Sequence, residues 1–132
     1  MLIEVLIGLS LGIATIVLTR IVKGESWIYS ASIILVPLIY VIFALVIADY
    51  SAATMELLFG LPFIIGGVVC LLFRVQLSAI IIGILWVMHA VFDVVHDRFF
   101  VNSGVPEWYP LFCVAVDVVI GAYVIWSGSN KQ

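Results

Sequence analysis

A single segment of the sequence, HAVFDVVHD at positions 89–97, contains both histidines of the chain and two of its eight acidic residues. His89, Asp93 and His96 follow the spacing i, i+4, i+7, which places them on one face of an α-helix. Imidazole and carboxylate groups together suit zinc, and also iron, manganese or copper. Three such side chains could reach one metal ion, or two ions stacked along the helix.

The chain around this segment has the composition of a membrane protein. Its 132 residues are 66% hydrophobic and 10% charged, with a mean hydropathy of +1.38. A soluble domain of this size needs much more polar surface, so we expect a single transmembrane domain over residues 1–132. The sequence has no basic patch, which excludes nucleic acid as a partner and leaves the lipid bilayer as the main one.

Five apolar stretches are long enough to cross a bilayer, which predicts an all-α bundle of five transmembrane helices. They cover about 2–19, 27–48, 52–73, 77–99 and 108–126. The short connections predict that successive helices are antiparallel neighbours. Gly8 and Gly12 have GxxxG spacing, which allows close approach of another helix, including one from a second copy in a homo-oligomer.

The basic residues predict the orientation. One side of the layout holds Arg20, Lys23, Arg74 and Lys131, and the other side holds Arg98. The positive-inside rule then places the N-terminus outside and the C-terminus in the cytoplasm. The short loops and the lack of a targeting signal favour a prokaryotic inner (plasma) membrane. Aromatic residues mark both boundaries, with Trp27 and Trp126 at the inner one and Tyr50, Trp108 and Tyr109 at the outer one.

Three carboxylates lie within the predicted spans, in the outer half of the bundle. They are Glu56 on the third helix, Asp93 on the fourth and Asp117 on the fifth. A charge near the bilayer centre costs at least about 2.5–3.5 kcal/mol. No Lys or Arg lies at their depth in this layout, so protons, water or a metal ion must neutralise them.

These observations favour a metal-dependent intramembrane enzyme, a hydrolase acting on a lipid or other apolar substrate from the outer leaflet. In this hypothesis His89, Asp93, His96 and Asp117 bind the metal ion, with zinc as the first candidate. The metal would activate a water molecule, and Glu56 on a different helix at similar depth is the candidate general base.

Two other classes of function stay open. The first is an oligomeric metal or cation carrier, or a proton-coupled one, since a histidine that titrates near neutral pH suits a relay. The second is a structural membrane subunit, in which protonated carboxyls and neutral imidazoles form hydrogen bonds between helices. The roles of Glu4, Asp49 and Asp97 are open in each of these hypotheses.

The run WVMHAVFDVVHD, followed by WYPLFCVAVDVVIGAY, resembles a group of small uncharacterised polytopic membrane proteins. These proteins have an HAxxDxxH-type helix and a later helix with a C-x-x-x-D motif. The resemblance implies a membrane-embedded polar site at His89, Asp93, His96 and Asp117. The chain is also similar to the ceramidase-like intramembrane zinc hydrolases, which hold a catalytic zinc with histidines and an aspartate from several helices.

Overall fold

A computed structural model describes residues 1–74 and 77–130, and this part of the chain forms five long α-helices. They are α1 (Leu2–Ile21), α2 (Ile28–Val46), α3 (Tyr50–Leu72), α4 (Leu77–Val95) and α5 (Tyr109–Asn130). Each helix is long and apolar enough to cross a membrane. The prediction of an all-α, five-span membrane protein is therefore confirmed. Lys131, one of the basic residues behind the predicted orientation, lies outside the described residues.

The last turn of the predicted fourth span is not α-helical. The α-helix ends at Val95, and His96–Arg98 form a single 3-10 turn. His96 lies seven residues after His89, which corresponds to about 10 Å along a helix axis at 1.5 Å per residue. Helix α5 ends at Asn130, four residues beyond the predicted end at 126. In this added turn, Gly128 is buried against Ala79 and Ile80 of α4.

Helix α4 lies at the centre of the bundle, where it contacts α2, α3 and α5. Helices α2 and α3 pack against each other as an antiparallel pair, as do α4 and α5. The start of α1, the connection between α2 and α3, and the connection between α4 and α5 lie at the same end of the bundle, which we call the site end. The opposite end is called the far end.

Helix α1 departs from the expectation that successive helices are neighbours. It packs on α5 and runs parallel to it, with Gly8 facing Ala115 and Gly12 facing Val119. Both glycines are buried in this contact. The GxxxG pair is therefore used within the chain, and it is not available to a second copy.

Most of the predicted aromatic boundary residues are exposed at the ends of the bundle. The exposed ones are Tyr50, Trp27, Trp108 and Trp126. Tyr109 is the exception, because it is buried with Tyr40 and Cys113 in a small cluster at the site end. Its assignment to the outer aromatic belt is wrong, since the first turn of α5 faces α2 at this position.

The backbones of α4 and α5 approach each other closely at Gly83 and Gly121. A Cβ atom on Gly121 would lie 2.9 Å from the carbonyl oxygen of Gly83 and 3.0 Å from the backbone nitrogen of Val87. Side chains larger than hydrogen would force the two helices apart. Because the two helices are so close here, residues of α4 and α5 that lie nearer to the site end can form hydrogen bonds with each other.

We expect Gly121→Ala to destabilise the protein, because the new methyl group would overlap backbone atoms of α4. Overpacking of this kind costs about 1–3 kcal/mol, which exceeds the gain of up to about 1 kcal/mol for alanine over glycine in a helix. Gly66→Ala is the matched control, since its Cβ would meet only the flexible end of Leu85. The free energy of unfolding in mixed micelles measures both changes. Equal stability losses in the two variants would contradict the backbone contact.

Candidate functional site

Two helices bring three ionisable side chains together at the centre of the site end. His89 and Asp93 lie one turn apart on α4, and Asp117 comes from α5. His89 Nδ1 lies 2.8 Å from Asp117 Oδ2 and 3.5 Å from Asp93 Oδ2. One ligand atom of each residue lies within 4.8 Å of those of the other two. This cluster of His89, Asp93 and Asp117, which we call the triad, could hold a metal ion.

The triad is isolated from solvent and from basic side chains. His89 is fully buried, and the side chains of Asp93 and Asp117 are at most 2% exposed. Within residues 1–74 and 77–130, neither aspartate has a Lys or Arg as an ion-pair partner. Two buried carboxylates beside one imidazole need further positive charge, which either bound protons or a cation can supply.

Helix α2 contributes a further polar contact that the sequence analysis missed. The Tyr40 hydroxyl donates a hydrogen bond of 2.7 Å to Asp93 Oδ1. Tyr40 is buried, and its hydroxyl fixes the orientation of the carboxylate. The position of Tyr40 within a strongly hydrophobic span could have indicated such a contact, since a buried tyrosine hydroxyl normally has a hydrogen-bond partner.

Aromatic rings surround the remaining sides of His89. The ring of Phe63 on α3 meets the imidazole edge-on at 4.9 Å, and that of Phe92 lies 5.9 Å away. His89 Nε2 is buried and has no hydrogen-bond partner among the described residues. A buried polar atom without a partner is rare in proteins, and Nδ1, the other ring nitrogen, is the one that meets the two carboxylates.

His96 lies apart from the triad and belongs to a second buried cluster. Its Nε2 lies 2.6 Å from Glu56 Oε1 on α3. Asn102, in the connection between α4 and α5, donates a hydrogen bond of 2.8 Å to the same oxygen and one of 3.1 Å to the backbone carbonyl of Tyr40. The sequence analysis missed Asn102, because a polar residue in a loop carries no signal of burial.

The structure thus divides the five predicted site residues into two clusters. His89, Asp93 and Asp117 converge, whereas His96 pairs with Glu56. The ring of Tyr40 separates the clusters and stacks on the imidazole of His96, with ring centroids 4.7 Å apart. The spacing explains the separation, because seven residues correspond to about 10 Å along a helix axis, so His96 meets α3 at a different level of the bundle.

The acids whose roles the sequence left open have three different environments. Glu4 pairs with the N-terminal ammonium group of Met1 at 2.6 Å. Asp49 caps α3 by accepting a hydrogen bond from the backbone N–H of Ala52. Asp97 is exposed, and its Oδ1 lies 3.1 Å from Nδ1 of His96.

We expect Tyr40→Phe to destabilise the protein, because Asp93 Oδ1 would lose its hydrogen-bond donor inside the bundle. The expected loss in unfolding free energy is about 0.6–1.7 kcal/mol, the average and the maximum for hydrogen bonds between helices of a folded membrane protein. Tyr50→Phe removes the same hydroxyl from a residue that is 70% exposed, and it should leave stability unchanged. Denaturation in mixed micelles compares the two variants. A Tyr40→Phe protein as stable as the parent would show that Asp93 does not need this donor.

The triad therefore offers one imidazole and two carboxylates, which is a ligand set that zinc and several other transition metals accept. Its three residues could supply three protein ligands and leave further coordination positions to small molecules. The buried Glu56–His96 pair beside it provides a carboxylate and an imidazole suited to proton transfer. No protein-family model, curated protein or solved structure matches the chain.

Proposed function

We propose that the chain is an intramembrane metal protein in which His89, Asp93 and Asp117 bind one divalent transition metal ion. The convergence of three buried ligand atoms from two helices, within 4.8 Å of one another, is the observation that carries this proposal. Zinc is the first candidate, and iron, manganese and copper accept the same mixture of nitrogen and oxygen ligands.

Charge balance supports a divalent ion in the triad. A neutral imidazole and two carboxylates carry two negative charges, and a divalent cation would cancel both. The described residues offer no Lys or Arg to do so. A buried charge without a partner is strongly destabilising, so the neutral complex is the favourable state inside a bilayer.

The surroundings of the triad also suit a metal site. The Tyr40 hydroxyl holds Asp93 in place, as outer hydrogen bonds commonly do for carboxylate ligands. The aromatic rings around His89 provide apolar surroundings, which strengthen electrostatic interactions within the site. His96 is excluded from this ligand set because its Nε2 is engaged by Glu56.

We further propose that the metal serves hydrolysis of a lipid or another apolar substrate. A bound metal ion would supply Lewis acidity and an activated water molecule. Glu56 is the candidate general base, since its Oε2 is buried without a hydrogen-bond partner while Oε1 is held by His96 and Asn102. The fainter likeness of the chain to the ceramidase-like intramembrane zinc hydrolases suggests this reaction class, although His89, Asp93 and His96 depart from the H-x-x-x-H spacing of those enzymes.

The same proposal includes an orientation and a location. Arg20, Lys23 and Arg74 lie at the far end of the bundle, which would face the cytoplasm under the positive-inside rule. The site end, with the triad and the Glu56–His96 pair, would then face the outer leaflet of a prokaryotic inner membrane. A homo-oligomer would have to use surfaces other than the Gly8–Gly12 pair, which α5 covers.

Elemental analysis of protein purified in detergent without chelator tests the metal proposal. We expect about one transition metal ion per chain, and its loss in His89→Ala and in Asp117→Asn. His96→Ala is the matched control, because it removes the other buried histidine at the same end of α4 and should retain the metal. Circular dichroism establishes that each variant is folded.

Metal that is absent from the parent protein, or retained in both triad variants, would contradict the proposal and favour protonated carboxyls. Loss of metal in His96→Ala with retention in His89→Ala would also contradict it, because the ion would then belong to the Glu56–His96 pair. A bound ion that exchanges rapidly and crosses liposome membranes would indicate a carrier in place of an enzyme.

A further inference from the structure

We propose that Asp97, His96 and Glu56 form a proton relay that connects water at the site end with the buried interior of the bundle. The side chain of Asp97 is 86% exposed, whereas those of His96 and Glu56 are each 1% exposed. The imidazole bridges the two carboxylates through its two nitrogens, at 3.1 Å from Asp97 Oδ1 and 2.6 Å from Glu56 Oε1. This relay does not depend on a metal ion in the triad.

Asp97 is placed to exchange protons with water. It lies beyond the end of α4, in the 3-10 turn that also contains Arg98, and it is followed by the connection to α5. An exposed carboxylate beside an arginine at the end of a membrane span is stable in the interfacial region, not in the hydrocarbon. Asp97, the exposed end of the relay, is therefore in contact with water.

The packing around His96 confines proton transfer to its two ring nitrogens. Tyr40 of α2 stacks on the ring, while Phe92 of α4 and Phe100 of the following connection meet it at 5.3 Å and 5.1 Å. The titratable groups that face His96 are Glu56 from α3, Asp97 from its own turn, and Tyr40. The aromatic contacts hold the ring in the orientation that reaches both carboxylates.

The transfer itself needs no rotation of the imidazole. A proton taken up from water by the Asp97 carboxylate passes to Nδ1 of neutral His96, and the proton on Nε2 passes to Oε1 of the Glu56 carboxylate. One N–H bond forms and one breaks, so His96 remains neutral and one proton has moved from water to Glu56. Return of the proton by the reverse steps restores the first tautomer.

Glu56 is a suitable inner terminus because its two carboxylate oxygens have different surroundings. Oε1 receives the hydrogen bond from Asn102 and faces His96, while Oε2 is buried and has no partner among the described residues. A proton that arrives at Glu56 is thus held away from water. The second oxygen of the same carboxyl group, Oε2, could form a hydrogen bond with a ligand or a substrate. His96 acts as the carrier between the two acids.

Infrared spectroscopy of the protein in nanodiscs tests the relay directly. The carbonyl band of the protonated Glu56 carboxyl is identified by its absence in Glu56→Gln, and its hydrogen–deuterium exchange is followed after rapid dilution into D2O. We expect Asp97→Asn to slow this exchange by about 100-fold, the lower end of the effect of a positioned acid–base group. His96→Gln should slow it at least as much.

Glu107→Gln is the matched control, because it removes one exposed carboxylate from the same end of the bundle and should leave the exchange rate unchanged. Equal rates in Asp97→Asn and the parent protein would overturn the proposal, as would equal slowing in Asp97→Asn and Glu107→Gln. The absence of any band that depends on Glu56 across the pH range would overturn it as well. The metal content of Asp97→Asn should equal that of the parent, which separates this test from the test of the triad.

Discussion

Buried carboxylates in an apolar bundle need a proton donor or a cation beside them, and this requirement organises the site end of the structure. Asp117 meets His89 across the α4–α5 contact, and Glu56 meets His96 across the α3–α4 contact. The third acid, Asp93, receives a tyrosine hydroxyl from α2. Four of the five helices therefore have their relative positions fixed by a small set of polar contacts. The apolar packing around these contacts, and above all the close approach of α4 and α5, makes the short distances possible.

The two histidines have different chemical environments, because His89 lies within α4 and His96 lies just beyond its end. His89 is enclosed with two carboxylates and no exposed neighbour, an arrangement suited to retaining a cation. His96 lies between an exposed and a buried acid, an arrangement suited to passing a proton. The two histidines are seven residues apart, which corresponds to about 10 Å along a helix axis. This distance separates the buried triad from the pair that reaches the exposed Asp97.

Much of the architecture could be predicted from hydropathy, because a bilayer imposes a minimum length on each apolar helix. The five spans and the convergence of His89, Asp93 and Asp117 at one end followed from this constraint and from helical periodicity. The pairing of His96 with Glu56 could not be predicted, since it depends on how α3 packs on α4, which the spacing within one helix does not reveal. The buried position of Asn102 could not be predicted either, because it depends on the path of a loop. The packing of α1 on α5 depends on which small residues face each other in three dimensions, and the sequence alone does not show this.

The position of α5 between α1 and α4 has a consequence for the assembly of the bundle. Helix α1 is synthesised before α5, yet α5 provides the surface on which Gly8 and Gly12 pack. The triad has the same dependence, because Asp117 also lies on α5. Until α5 is inserted, the glycine face of α1 is uncovered and His89 lacks its nearest acid. The long sequence separation of these contacts makes completion of the bundle a late event in its biosynthesis, so that α1 docking and assembly of the triad depend on the same insertion.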